Sequence, residues 1–90
     1  MDVQILPMQA ADVPQVAELE KACFSDPWPE SVLSHELENE LSLWLVAKNG
    51  DTVLGYVGSQ SVLDEADMMN IAVRKDAQRQ GIAKKLILAL

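Results

Sequence analysis

The dipeptide Asn49-Gly50 lies between two apolar, β-prone runs and is the strongest short-range hairpin signal in the chain. It predicts a strand over Leu43 to Lys48 and a return strand over Thr52 to Leu63. Gly55 and Gly58 inside the return strand imply a close backbone approach or a bulge, because a strand glycine has no side chain to pack. Asp64-Glu65 predicts a second turn. Met68 to Val73, reading Met-Met-Asn-Ile-Ala-Val, predicts a third strand that is apolar on both faces, as a central strand is.

The remaining elements follow from punctuation and periodicity. Asp2 to Leu6 is a short β-prone run closed by Pro7. Asp12 has the chemistry of a helix N-cap, with Gln15 as its capping-box partner and Pro14 in the first turn, where a missing N–H costs little. The helix predicted over Val13 to Phe24 buries Val13, Val16, Ala17, Leu19 and Cys23 and turns Gln15, Glu18 and Lys21 outward. Ser25-Asp26-Pro27-Trp28-Pro29 interrupts it, since two prolines in three positions stop a helix. Pro29 suits the first turn of the next helix, whose stripe is Leu33, Leu37 and Leu41. Arg74 to Gln80 is a polar loop, and Gly81 to Leu90 is a helix with apolar residues at Ile82, Leu86, Ile87 and Leu90. The order is β-α-α-β-β-β-α, an α/β (α+β, mixed-sheet) class. The last helix ends on Leu-Ile-Leu-Ala-Leu with no C-cap glycine, which predicts that residues 1–90 are one incomplete domain, cut inside or after that helix.

Composition narrows the function classes. Fourteen acidic residues against 7 Lys and Arg give a net charge of -7, the wrong sign for a nucleic-acid partner and the right one for a cationic partner. A hydrophobic fraction of 49% with 23% charged residues is that of a folded chain, not a disordered one. One cysteine makes no internal disulfide. No apolar run approaches the ~18 residues of a membrane span, and Met1 to Pro7 has no basic stretch before an apolar one, so no membrane partner and a cytoplasmic location are expected.

The segment Asn70 to Lys84 carries the most chemistry. A strand feeds a polar loop, and the loop feeds a helix with Gly81 in its first turn. The first N–H groups of a helix lack internal partners and, with the dipole, form an anion site. Gly81 lets a phosphate approach where a Cβ would obstruct it, and Arg79 and Lys84 add charge. An ordinary strand–loop–helix joint carrying a glycine explains the same spacing. Neither the P-loop pattern nor the three-glycine dinucleotide fingerprint is present. Elsewhere, Asp64, Glu65 and Asp67 suit a solvated turn, and Met68 and Met69 suit the core. Cys23 suits a small core residue, and His35 a surface or partly buried position. No second His or Cys stands at metal-ligand spacing, so no metal is expected.

The run Gln78-Arg79-Gln80-Gly81-Ile82-Ala83 resembles the Gln/Arg-x-x-Gly-x-Gly/Ala signature of the GNAT superfamily of N-acetyltransferases. Val62-Leu63-Asp64-Glu65-Ala66, Asn70-Ile71-Ala72-Val73 and Phe24-Ser25-Asp26-Pro27-Trp28 resemble its RimI-like, ribosomal-protein-alanine branch, and the likeness runs the length of the chain. The resemblance implies the first half of the GNAT fold and acetyl transfer from acetyl-CoA to an α-amine, that of the N-terminal alanine of a basic ribosomal protein. It implies that the backbone of Ile71, Ala72 and Val73 pairs with the pantetheine arm. Gln78, Arg79, Gln80, Gly81, Ile82, Ala83 and Lys84 would hold the pyrophosphate. Ala83 replaces a second glycine, and Lys84 an arginine, keeping charge without bidentate geometry. Trp28 and Glu65 are implied substrate contacts, with a hydrophobic plug and a solvated turn as the plain alternatives. The amine attacks the thioester directly in this family. A free α-amine titrates near ~7.7–8.0, so a general base is useful. The family's glutamate base and tyrosine acid fall beyond Leu90. A CoA-binding fragment without catalysis, or a GNAT enzyme acting on lysine or small amines, is the alternative.

Overall fold

The computed structural model describes the backbone of residues 3–62 and 65–89 and the side chains of 3–59 and 70–89. Strands β1 (Gln4–Pro7), β2 (Ser42–Asn49), β3 (Thr52–Val62) and β4 (Glu65–Val73) form one sheet in the order β1-β2-β3-β4. Every pairing among the described residues is antiparallel, so this part of the sheet is not mixed. Helices α1 (Val13–Cys23) and α2 (Glu30–Glu36) join β1 to β2, and α3 (Ile82–Ala89) follows β4. The element order is the expected one.

Each face of the sheet carries its own core. Val13, Val16 and Ala17 of α1 and Leu33 of α2 pack on Trp44, Val46 and Tyr56. Ile82 and Leu86 of α3 pack on Leu45, Ala47, Leu54 and Val57 from the other side. The β2–β3 register shifts between Ala47 and Lys48, leaving Leu54 as an extra residue on β3. That bulge lets Val53 and Tyr56 face α1 while Leu54 and Val57 face α3. The hairpin turn is Gly50-Asp51, closed by the pair Asn49 and Thr52. Gly50 has φ +62° at the first central position, as type II′ turns require.

Several local expectations shift, each for a visible reason. A 3-10 turn, Ala10–Asp12, runs straight into α1, so Asp12 is already helical at φ -85°, ψ -19°. Its carboxylate accepts the N–H of Gln9 (2.9 Å) and pairs with Lys48 Nζ (2.8 Å), making Gln9, not Asp12, the capped position. Gln15 is not part of a cap. It accepts Val53 N–H (2.8 Å) and donates to Asp51 C=O (2.9 Å), fastening α1 to the hairpin end. Helix α1 stops at Cys23, and Phe24 is extended. Pro29 is extended too and precedes the first turn of α2. That helix closes at Glu36, because Asn39 Oδ1 accepts Leu41 N–H and Glu36 Oε2 accepts Asn39 Nδ2 and Ser42 Oγ. Leu41 therefore leaves the stripe and is 56% exposed. Glu65 begins β4 instead of completing a turn. Gly81 precedes α3, and Ile87 is exposed. Asp2, Leu63, Asp64 and Leu90 lie outside the described residues, as do the side chains of Glu65, Asp67, Met68 and Met69.

Gly58 is a close approach. A Cβ there would stand 2.7 Å from three atoms of the Trp44 ring, which is itself stacked on Tyr56 and tilted against Trp28. The ring has nowhere to retreat. Gly58→Ala is expected to cost about 1–3 kcal/mol, the usual penalty of overpacking a core, read by denaturant unfolding of the full chain. An unchanged midpoint would show that the aromatic stack can slide.

Candidate functional site

Strand β4 has β3 on one side and an open edge on the other among the described residues. Arg74 N–H donates to Leu54 C=O (2.7 Å) at the end of the β3–β4 ladder. Antiparallel pairs alternate, so Tyr56 and Ala72 are also a hydrogen-bonded pair. The backbone N–H and C=O of Ile71 and Val73 consequently point to the open edge, and those of Ala72 point to β3. Gln78 Nε2 donates to the Val73 C=O (3.3 Å), holding the loop after β4 against that edge. The β3–β4 register shifts between Gly58 and Ser59, which makes Met69 an extra residue on β4, next to Asn70.

The loop then enters α3 through two left-handed residues, Arg79 at φ +67° and Gly81 at φ +78°. Gly81 C=O accepts Lys85 N–H (3.1 Å), the first bond of the helix, so the N–H groups of Ile82, Ala83 and Lys84 have no intrahelical partner. Space beside Gly81 is open. Arg79, Lys84 and Lys85 flank this turn, and Lys75 and Arg74, the latter paired with Asp76 (2.8 Å), precede it, so five of the seven Lys and Arg residues lie between positions 74 and 85. Backbone donors at a helix start, a glycine and this charge together suit an anion such as a phosphate ester. Ile71, Ala72, Val73, Gln78 and Ala83 line one groove of about 360 Å³ with Cys23. Arg79, Gln80 and Lys84 are exposed beside it, and Ile82 is buried under α3.

Cys23 is exposed, contrary to the core position expected for it, because the stripe of α1 continues through Glu20 instead. Trp28 is half-buried, its ring 5.6 Å from that of Trp44. His35 is exposed in the last turn of α2.

Glu20 is the functional candidate that sequence reasoning missed. It is 0% exposed. Its Oε2 accepts Tyr56 OH (2.5 Å), and its Oε1 accepts Asn70 Nδ2 (2.9 Å) and Trp28 N–H (3.4 Å). The signal was a polar residue three places after Ala17 and four after Val16, on the apolar stripe itself, and a lone Asn70 in the apolar run of β4. Burial, and then the bond to Glu20, pushes the Tyr56 hydroxyl well above its ordinary range, so it stays a proton donor.

The family model described as "Acetyltransferase (GNAT) family" matches residues 13–90. A [ribosomal protein bS18]-alanine N-acetyltransferase of Haemophilus ducreyi is 36% identical over 81 residues, covering 88% of this chain and 54% of that protein. The crystal structure of the ribosomal-protein-S18-alanine N-acetyltransferase from Escherichia coli matches with a TM-score of 0.84 at 28% identity, over 98% of this chain and 56% of that one. An aminoglycoside acetyltransferase from an uncultured soil metagenomic sample, in complex with sisomicin, matches with a TM-score of 0.77, also at 28% identity, over 97% of this chain and 66% of that one. The chain spans about half the length of the curated relatives it matches.

The raised Tyr56 hydroxyl has a consequence for stability at high pH. A free tyrosine ionises near ~10, so above that pH the unfolded chain releases a proton that the folded chain keeps. The contribution is whole below about pH 10 and is lost as pH rises above it. Between about pH 10 and 11.5, the melting temperature of the wild type should fall more steeply than that of Tyr56→Phe. Parallel profiles would mean that Tyr56 ionises as freely in the fold as outside it.

Proposed function

The chain belongs to the GNAT family of acetyltransferases, and on that premise we propose that it forms the acetyl-CoA site of a protein N-terminal alanine N-acetyltransferase acting on a ribosomal protein. The observation that carries the reading is the continuity between the open edge of β4 and the unpartnered N–H groups at the start of α3. An edge strand offers amide-spaced donors and acceptors, and a helix start offers phosphate-spaced ones. Acetyl-CoA has both matching parts, a pantetheine arm with two amides and a pyrophosphate, and its thioester supplies the acetyl group.

The residues divide the work by their chemistry. Ile71 and Val73 present backbone groups to the pantetheine, while Ala72, paired to β3, keeps the strand in place. Gly81, Ile82, Ala83 and Lys84 direct N–H groups at the pyrophosphate. Arg79 and Lys84 add charge, and Gln78 and Gln80 frame the turn. The bulge at Met69 breaks the ladder where the acyl end would lie, which frees backbone groups to face a developing oxyanion. In the transfer the amine nitrogen bonds to the acyl carbon, the carbon–sulfur bond breaks, and the proton lost from nitrogen passes to the leaving thiolate. Trp28 and Glu65 stay proposed as acceptor contacts.

The N-terminal-alanine assignment follows the Haemophilus ducreyi relative, at 36% identity. A small-amine acceptor is the second reading, favoured by the likeness to the aminoglycoside enzyme.

Isothermal titration of the full chain with acetyl-CoA tests the donor site. Gly81→Glu places an anion among the phosphate donors and should weaken binding about tenfold or more, since like charges brought together cost several kcal/mol. Gly81→Ala is the control for the left-handed backbone alone. Equal affinity of Gly81→Glu and wild type would rule the site out. For the acceptor, peptides beginning with alanine and carrying a basic tail should be acetylated faster than lysyl peptides or an aminoglycoside. Their advantage should shrink as salt screens the -7 net charge. Preference for the aminoglycoside would favour the second reading.

A further inference from the structure

A buried carboxylate is a poor way to add stability. Replacing a buried charged group by an apolar one of similar volume is often neutral or stabilising, so Glu20 has to be explained by geometry. Its three partners come from three separate elements. Tyr56 lies on β3, Asn70 on β4 and the Trp28 N–H in the segment between α1 and α2. Asn70 and Trp28 share a single oxygen, Oε1, so the backbone of that segment and the residue beside the β4 bulge are held within one side chain's reach of each other. The aromatic rings close the circuit. Trp28 packs on Trp44, Trp44 stacks on Tyr56 at 6.0 Å, and Tyr56 returns to Glu20.

We infer that Glu20 is a positioning residue for acyl transfer: its Oε1 sets the bulge of β4 against the Ser25–Pro29 segment, and so fixes where the acyl group meets the approaching amine. This rests on the reading above that the acyl end lies at the β4 bulge. Asn70 stands one residue from the bulge and faces α1. Among the described residues, the Trp28 segment therefore approaches the bulge, beside α1, on the face opposite α3. Glu20 touches neither reactant and acts only through Asn70 and Trp28. Its effect belongs on the transfer step and not on the hold of the donor, which is the work of the β4 edge and the start of α3.

The test is a comparison of acetyl-CoA affinity with turnover in the full chain, using whichever of an alanyl peptide, a lysyl peptide and an aminoglycoside the wild type acetylates fastest. Glu20→Leu should lower kcat about 10- to 100-fold, the usual effect of a misplaced reactant, while the acetyl-CoA Kd stays within about twofold. Glu20→Gln should restore most of the rate, because its Oε1 can accept the same two N–H groups and its Nε2 can donate to the Tyr56 oxygen. A folded Glu20→Leu with wild-type kcat would overturn the inference, and so would a loss of kcat matched by an equal loss of acetyl-CoA affinity. Should Glu20→Leu fail to fold, Asn70→Ala decides, since it cuts one arm only. A lower kcat at unchanged acetyl-CoA affinity supports the role, and an unchanged kcat overturns it. An unsubstituted chain that does not bind acetyl-CoA overturns the parent reading and this inference together. One that binds acetyl-CoA but acetylates none of the three acceptors overturns this inference and leaves the donor site standing, as does normal turnover with indifference to Glu20.

Discussion

The carboxylate of Glu20 is the interaction on which the rest of the structure turns. Folding removes it from water entirely, and a lone carboxylate in that position would carry a penalty of several kcal/mol. Hydrogen bonds from Tyr56, Asn70 and Trp28 offset that penalty only when α1, β3, β4 and the proline-flanked segment are all in place. An apolar contact tolerates small slides between elements, and this cluster does not. It selects one register for α1 on the sheet and one seat for the segment between α1 and α2.

Around that point the sheet is shaped by irregularities, not by regular pairing. The bulge at Leu54 reverses the alternation of β3, so that Val53 and Tyr56 meet α1 while Leu54 and Val57 meet α3. Gly58 removes a side chain where the Trp44 ring must lie flat. The second bulge, at Met69, sits on the strand whose other edge is open among the described residues. Two left-handed residues, Arg79 and Gly81, then bend the chain into α3. A non-glycine residue with positive φ costs on the order of 1–2 kcal/mol, and such strain gathers where geometry is functional. The backbone is thus least regular along one line, from the bulge past the open edge to the start of α3. Arg79, Lys84 and Lys85 stand at its helix end.

Much of this was legible in the residues. The element order, the β2–β3 hairpin, the special role of Gly58 and the donor-rich joint at Gly81 follow from local chemistry, because turns, glycine conformations and helix starts depend on neighbours a few residues apart, although the turn sits one residue later than Asn49-Gly50, at Gly50-Asp51. The family signature was legible for the same reason, since Gln78 to Ala83 form one contiguous turn. The errors also have a common cause. Asp12 and Gln15 have the spacing of a capping box, but Asp12 caps backwards onto Gln9 and pairs with Lys48, and Gln15 goes to Val53 and Asp51, so three of the four partners stand 36 or 38 residues away. Leu41 has the spacing of a helical stripe, but the side chain of Asn39 ends the helix region first.

Glu20 and Cys23 show where the division falls. Both lie within one turn of the end of α1 and both fit the spacing of its stripe, so polarity alone favoured Cys23 for the interior. The structure buries Glu20 and exposes Cys23. A carboxylate can be buried only if donors converge on it, and these donors stand 8, 36 and 50 residues further along the chain. The sequence by itself determined the elements, their order and the anion-suited turn at Gly81, all set by short-range backbone chemistry. Tertiary structure alone decided which edge of β4 is open, which backbone groups face it and why Glu20 is inside, because pairing register and the convergence of distant donors exist only once the chain has closed on itself.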